Sequence, residues 1–148
     1  TVLAEYHQAN QDQPIILCCD LNEPKIDHVD QDKLEFFDQK GDQGNAASYI
    51  LNPKGLHKLE DSYRLWLKQN PEVINRIAKE LDACEDLHST PLAVSHRVGG
   101  KTKKRYDYIL VSPHWEVIDV QYRYEEAIKH GGDHALVVTD LSSPNPLD

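Results

Sequence analysis

Apolar positions in this chain fall into short unbroken runs near its ends and two longer stripes between them. The run Ile15-Ile16-Leu17-Cys18-Cys19 stops abruptly at Asp20, Asn22, Glu23 and Pro24. Five apolar residues closed by a proline are too few for an isolated helix, and they predict a strand buried on both faces. Arg105-Tyr106-Asp107-Tyr108-Ile109-Leu110-Val111 predicts a second buried strand with a charge inside it. Trp115, Val117 and Asp119 alternate with Ile118, Val120 and Tyr122, a third strand pattern, and the run from Ala135 to Val138 gives a fourth. Helical spacing appears in Leu3, Tyr6 and Asn10, which predicts a short helix over Thr1 to Asn10. It appears again in Leu56, Leu59, Tyr63, Trp66 and Leu67. Asn70-Pro71 breaks that stripe, with Pro71 suited to a first helical position and Asn70 to its cap. Val73, Ile77, Leu81 and Cys84 then continue an apolar face, so two helices flank the break.

Two segments lack a clear period. Lys25 to Asn45 is acidic, with Leu34, Phe36 and Phe37 as its apolar cluster and Gly41 and Gly44 near its end; it reads as a loop with a helical turn or two. Glu85 to Lys104 reads as a loop through Pro91, Gly99 and Gly100, ending in the basic cluster Lys101, Lys103, Lys104 and Arg105. Such a cluster is either a solvated face or a hold on a polyanionic substrate.

The 148 residues suit a single α/β domain spanning 1–148, and 39% hydrophobic content supports a folded core. No apolar run reaches the length of a membrane span. A net charge of -9 disfavours gripping nucleic acid by bulk electrostatics, while leaving room for a local basic patch. The three cysteines, Cys18, Cys19 and Cys84, have no metal-ligand spacing; they read as small buried hydrophobes in a reducing, intracellular setting, cytoplasmic or nuclear. The chain starts at Thr1 rather than at a methionine, which fits a processed chain or a piece of something longer.

Candidate chemistry gathers at strand ends. Asp20 and Asn22 close the first predicted strand, Asp107 lies in the second, and Asp133-His134 opens the last. In the blandest reading, Asp20 and Asn22 merely form a turn that bonds its own backbone. In the chemical reading, a carboxylate orients the imidazole and raises its pKa, and the imidazole acts as acid, base or oxyanion partner. The remaining carboxylates and the amide suit a hard divalent cation such as magnesium. Acidic residues with one histidine, and no cysteine ligands, fit phosphoester hydrolysis better than zinc chemistry.

The wording of these stretches resembles one family, the endonuclease/exonuclease/phosphatase superfamily, whose members include deoxyribonuclease I-like and exonuclease III-like enzymes. Cys19-Asp20-Leu21-Asn22-Glu23-Pro24 is similar to its Gly-Asp-Phe/Leu-Asn motif, and Arg105-Tyr106-Asp107-Tyr108-Ile109 to its Arg-Ile-Asp-Tyr-Ile strand. Gly132-Asp133-His134 before Ala135-Leu136-Val137 resembles its Ser-Asp-His-x-Pro-Val strand, and Asp61-Ser62-Tyr63-Arg64 its Asp-Ser-Phe-Arg element. The resemblance implies a four-layer α/β/β/α sandwich with a mostly antiparallel or mixed sheet, here its C-terminal half. It implies a magnesium-dependent phosphodiester hydrolase, with manganese as a substitute ion and a nuclease as the expected activity. Asp20 would position or deprotonate the attacking water and Asn22 would hold a phosphate oxygen or a second ion. Asp133 would ligate the metal, and His134, oriented by Asp107, would contact the scissile phosphate. The implied metal set is thus Asp133, Asp20 and Asn22. Arg105 and Tyr108 would serve packing.

Cys19 stands in place of the motif's glycine, Gly132 in place of a serine, and Ala135-Leu136 where a proline is common. The N-terminal half of such a domain, with its principal glutamate ligand, has no counterpart upstream of Ile15. The isolated chain is accordingly expected to be weakly active or inactive. A missing N-terminal half or a second copy is expected to cover its open sheet. Nucleic acid is the favoured phosphodiester partner over a lipid headgroup. Aromatic residues that line an abasic pocket are lacking between Pro91 and His96. The alternatives are a non-catalytic binding module of the same fold, a phosphoinositide or other small phosphoester phosphatase, and an unrelated α/β domain.

Overall fold

The computed structural model describes residues 2–28, 34–36, 45–52, 55–82 and 91–143. Within them the chain is mixed α/β, with small antiparallel sheets and helices packed against them. The first strand, β1 (Ile16–Asp20), pairs antiparallel with β7 (Asp107–Val111), whose other edge takes β4 (Glu60–Asp61). The register sets Asp20 opposite Asp107, Cys18 opposite Ile109 and Ile16 opposite Val111. β8 (Glu116–Arg123) and β9 (Leu136–Ser142) form a second antiparallel pair, and α5 (Tyr124–Lys129) lies between them in the chain. Two short ribbons complete the sheets, β2 (Ile26–Asp27) with β3 (Leu34–Glu35), and β5 (His96–Val98) with β6 (Thr102–Lys104). No described helix is long and apolar enough to cross a membrane.

Side-chain alternation on β7 divides the core in two. Tyr108 and Leu110 join Leu51 and Leu59 in one cluster, with Leu17 and Cys19 of β1 and Leu3 of α1 (Val2–Ala9) packed against it. Val111, on the opposite face of β7, joins Val117 and Val120 of β8, Tyr63 and Leu67 of α3 (Ser62–Gln69), and Ile77 of α4 (Pro71–Asp82). Val117 and Val120 differ in parity, yet both are buried. A bulge between Val117 and Asp119 restores them to one face and leaves Ile118 exposed.

The boundaries of α3 and α4 follow from their ends. Asp61 caps α3, its Oδ1 accepting the Tyr63 N–H at 3.0 Å, so the helix starts at Ser62 and the stripe from Leu56 and Leu59 does not continue it. Pro71 is the first residue of α4. Asn70 turns its amide the other way, donating to the Trp66 carbonyl at 2.8 Å, while its own carbonyl accepts from Val73. In α1 the buried residues are Ala4 and His7, whereas Tyr6 is exposed.

Other expectations are corrected. β1 is not buried on both faces: Leu17 and Cys19 are half-buried, but Ile16, Cys18 and Asp20 are exposed. Among the described residues β1 is an edge strand, and its Ile16 face is exposed. Cys18 is therefore an exposed thiol; Cys19 is half-buried, and burial pushes its thiol up to about 11. The acidic segment after Pro24 contains the β2–β3 ribbon, α2 (Asn45–Ile50) begins only at its last residue, and the segment before Tyr106 contains the β5–β6 hairpin. Gly99 and Gly100, at φ of +58° and +71°, supply the left-handed turn that this hairpin requires. The basic cluster is not one patch. Lys104 is buried and donates to the Lys25 carbonyl at 2.6 Å, and Arg105 is buried in the core. Phe37, Gly41, Gly44 and Cys84 lie outside the described residues.

Arg105 is the polar centre of the fold. Its side chain is 0% exposed. Nε donates to Asp27 Oδ2 at 2.6 Å and Nη1 to Asp61 Oδ2 at 2.7 Å. Arg64 also pairs with Asp27, so two cations meet two anions. The guanidinium lies 4.6 Å from the Tyr108 ring centroid and 5.4 Å from that of Tyr63. Burial alone would raise the Asp27 carboxyl, but the charges and hydrogen bonds of Arg105 and then Arg64 outweigh it and hold it below its ordinary value. That stabilisation is present above the unfolded carboxyl's value of about 3.9 and is lost as pH falls through the lower native value.

Removing one partner strands a buried charge. Arg105→Leu is expected to lower the unfolding free energy by about 3–5 kcal/mol, read as a fall in urea midpoint at constant slope. A loss within the range of exposed ion pairs, about 0–1 kcal/mol, would contradict this role.

Candidate active site

The end of the β1–β7 pair sets two carboxylates directly across from each other. Asp20 and Asp107 are register partners and share the sheet face opposite the Tyr108 cluster. Like charges placed so are mutually destabilising unless a cation lies between or beside them. His134, just before β9, meets this need: its Nδ1 lies 2.8 Å from Asp107 Oδ2. Ligand atoms of Asp20, Asp107 and His134 all lie within 4.8 Å of one another.

Local structure fixes each group. Leu21 N–H donates to the Tyr106 carbonyl at 2.9 Å, extending the β1–β7 ladder past Asp20. The backbone then turns at Asn22, in the left-handed region at φ 52°, a conformation asparagine tolerates. Asn22 N–H donates to Asp20 Oδ1 at 3.0 Å, the self-bonding turn anticipated as the bland alternative. The turn and the cluster coexist, because a carboxylate has two oxygens with several acceptor positions. Tyr122 of β8 donates its hydroxyl to the Asp107 carbonyl at 2.7 Å, tying the second sheet to the carboxylate strand.

The Asp107 hydrogen bond is the largest cause raising the His134 pKa above the ordinary imidazole value. Partial burial opposes it, and the charges of Asp107, Asp20 and Asp133 add to it. With its Nδ1–H committed to the carboxylate, the ring keeps Nε2 for a ligand or substrate.

The structure does not bring all the sequence candidates into one group. The Asp133 carboxylate is exposed and outside the trio; its backbone carbonyl instead lies 3.1 Å from His96 Nδ1. Asp133 sits in a bend and His134 in the isolated bridge that follows it, outside the strands. Asn22 is exposed beside Asp20. His96 is a residue the sequence reading missed. Its ring stacks on that of His134, with centroids 4.4 Å apart. The Gly99-Gly100 turn signal after it marks the hairpin, but nothing in the sequence ties that hairpin to His134.

Two carboxylates on paired strands, one of them open to water, form a donor set that fits a hard divalent cation. Magnesium is commonly held by one or two carboxylates, with waters and substrate phosphate completing its octahedron.

A cleft of about 600 Å³, which none of Asp20, Asp107 and His134 lines, is lined in part by Arg76, Arg97, Lys103, Arg123, Trp66 and Tyr124. Glu125 offsets Arg97 through a 2.7 Å pair, and Glu126 offsets Arg123.

Comparison with known protein families, with curated proteins and with solved structures finds no match for this chain. What the site can do rests on its own chemistry.

Asp107→Asn removes the largest cause of the His134 shift. Its titration, followed by NMR, is expected to move down toward the ordinary value of about 6.5. A raised native pKa means the folded chain holds the proton more tightly. The contribution to stability is therefore complete below about 6.5 and is lost as pH rises through the native value. An unmoved titration in the variant would contradict the pairing.

Proposed function

We propose that this chain carries the hydrolytic centre of a metal-dependent phosphodiester hydrolase, a nuclease, within the endonuclease/exonuclease/phosphatase superfamily its motifs resemble. The observation that carries the reading is the Asp20–Asp107–His134 group at one strand-pair end, with an imidazole anchored on a carboxylate. Asp20 accepts a hydrogen bond from a water and orients it toward phosphorus, taking its proton as the new P–O bond forms. His134, held at Nδ1 by Asp107, gives its Nε2 proton to the leaving oxygen as the ester bond breaks. Asn22 donates to a phosphoryl oxygen. Asp20 and Asp107, with Asn22 beside them, would hold magnesium or manganese, which when bound would neutralise charge building on the phosphoryl oxygens; Asp133, the ligand the resemblance implies, stands outside this group. A polyanionic nucleic acid is favoured over a lipid headgroup because the motifs resemble those of nucleases; the separate cleft lined by Arg76, Lys103, Trp66 and Tyr124 offers cations and aromatic rings of the kind a single strand uses.

The reading extends to assembly. Exposed Ile16 on β1 and Leu136 on β9 lie on the free edges of the described sheets. A complementary half or a second copy that covers them completes the four-layer sandwich. The same exposure favours a second reading, a binding module that works through those edges without chemistry.

One assay separates these readings. Oligonucleotides and a soluble phosphoinositide are incubated with magnesium or manganese over a range of protein concentrations. Slow, metal-dependent oligonucleotide cleavage is expected, with a rate per chain that rises as chains associate. His134→Ala is expected to lower it by about 10²–10⁴-fold with unchanged thermal unfolding. Phosphoinositide turnover without oligonucleotide cleavage would shift the substrate class. No metal-dependent cleavage, or a rate indifferent to His134→Ala, would leave the binding module.

A further inference from the structure

Ser95 and His96 occupy a position that the hydrolytic chemistry above does not use. Ser95 is 0% exposed, and its hydroxyl oxygen accepts the Tyr106 N–H at 2.7 Å and the Asp107 N–H at 3.1 Å. Its carbonyl accepts the Ala135 N–H at 2.7 Å. One residue thereby grips both the strand that carries Asp107 and the backbone just before β9 that carries His134. His96 follows it, forms an isolated bridge with His134, and sets its Nδ1 3.1 Å from the Asp133 carbonyl. A carbonyl only accepts, so Nδ1 is the protonated nitrogen of His96. Its ring stacks with two others: the His134 ring at 4.4 Å with planes inclined by 27°, and the Tyr106 ring at 6.0 Å with planes inclined by 23°. The Gly99-Gly100 turn fixes the hairpin that presents it.

A single hydrogen bond from Nδ1 to Asp107 fixes one point of the His134 imidazole and leaves the ring free to rotate about that contact. A flat surface pressed against its face removes this freedom. From the stack and the anchor together, we propose that His96 is a positioning residue for His134, holding the plane of the ring so that Nδ1 stays on Asp107 and Nε2 stays on the reacting phosphate. The Tyr106 ring also stacks near His96, at 6.0 Å between centroids. The kinetic part of the proposal rests on the hydrolytic reading; the geometric part does not.

Three substitutions separate the ring from the donor. His96→Phe keeps a flat ring and loses the N–H. His96→Asn keeps an N–H near the place of Nδ1 and loses the ring. His96→Ala loses both. The first readout is the tautomer of His134 by nitrogen NMR in alkaline buffer, where the ring is neutral. The native chain and His96→Phe are expected to show the Nδ1–H form. His96→Asn and His96→Ala are expected to show a mixture that includes the Nε2–H form. The second readout is phosphodiester cleavage with magnesium. A displaced ring is expected to lower kcat at least about tenfold in His96→Ala and His96→Asn, with KM within about twofold and with recovery in His96→Phe. Cooperative thermal unfolding checks each variant, and His96→Phe retains the fold-supporting ring should His96→Ala unfold.

A His134 tautomer unchanged in both His96→Asn and His96→Ala would overturn the proposal. So would recovery by His96→Asn together with failure of His96→Phe, because the ring would then be dispensable and the Asp133 hydrogen bond sufficient. A chain with no phosphodiesterase activity under any condition would remove the hydrolytic reading alone, since the tautomer measurement still decides the role of His96.

Discussion

The structure depends on a buried guanidinium. Arg105 cannot lose its charge, and a lone cation in a low-dielectric core is prohibitive, so the chain must deliver anions to it. Asp27 arrives from β2 and Asp61 from the cap of α3, while Arg64 pairs with Asp27 and brings the cluster to two cations and two anions. Three tyrosines enclose the group, and two of them pass its order onward. Tyr108 turns its hydroxyl toward the carbonyls of Arg105 and Glu23, at 2.8 and 3.0 Å, next to the turn that holds Asn22. Tyr122 approaches Arg105 at 3.4 Å and donates to the Asp107 carbonyl. The ion cluster thus settles where the carboxylate strand lies relative to both sheets. Planar, forked geometry is what allows one side chain to serve two carboxylates, so lysine would not replace it.

The site inherits a conflict from that placement. Antiparallel register puts Asp20 and Asp107 face to face, and His134 stands against them, its pKa raised chiefly by the Asp107 hydrogen bond and further by the charges of both carboxylates. A divalent cation or an imidazolium relieves the repulsion, and both are useful for phosphoryl chemistry. Elements that hold the imidazole come from far apart in sequence: Asp107 from β7, the Ser95–His96 pair from the hairpin, and His134 from the approach to β9.

Local signals made part of this legible. Unbroken apolar runs marked β1 and β7, and proline after asparagine marked the start of α4, because strand burial and helix starts are set by near neighbours. The exposure of Ile16 and Cys18 was not legible, since an apolar run does not reveal whether anything covers its second face. Asp27 looked like one acid among many in a solvated loop. Its burial depends on Arg105, which is 78 residues away in the chain. The bulge in β8 hid in an alternation that looked regular. Asp20, Asp107 and His134 stood out because acid and imidazole at strand tips carry recognisable chemistry. Asp133, written beside His134, sits in a bend and its carboxylate stays outside the group, and His96 reaches the site through a fold-back that no local pattern encodes.

The central claim is that the Asp20–Asp107–His134 end of the sheets is a metal-assisted phosphoryl site, and manganese is its most direct probe. As a paramagnetic ion, manganese broadens NMR signals near its binding place. At substoichiometric manganese, the signals of residues 20, 107 and 134 are expected to broaden first, with excess magnesium reversing the effect and Asp20→Asn abolishing it. Broadening that begins at other acidic residues and leaves the His134 ring sharp would contradict the claim.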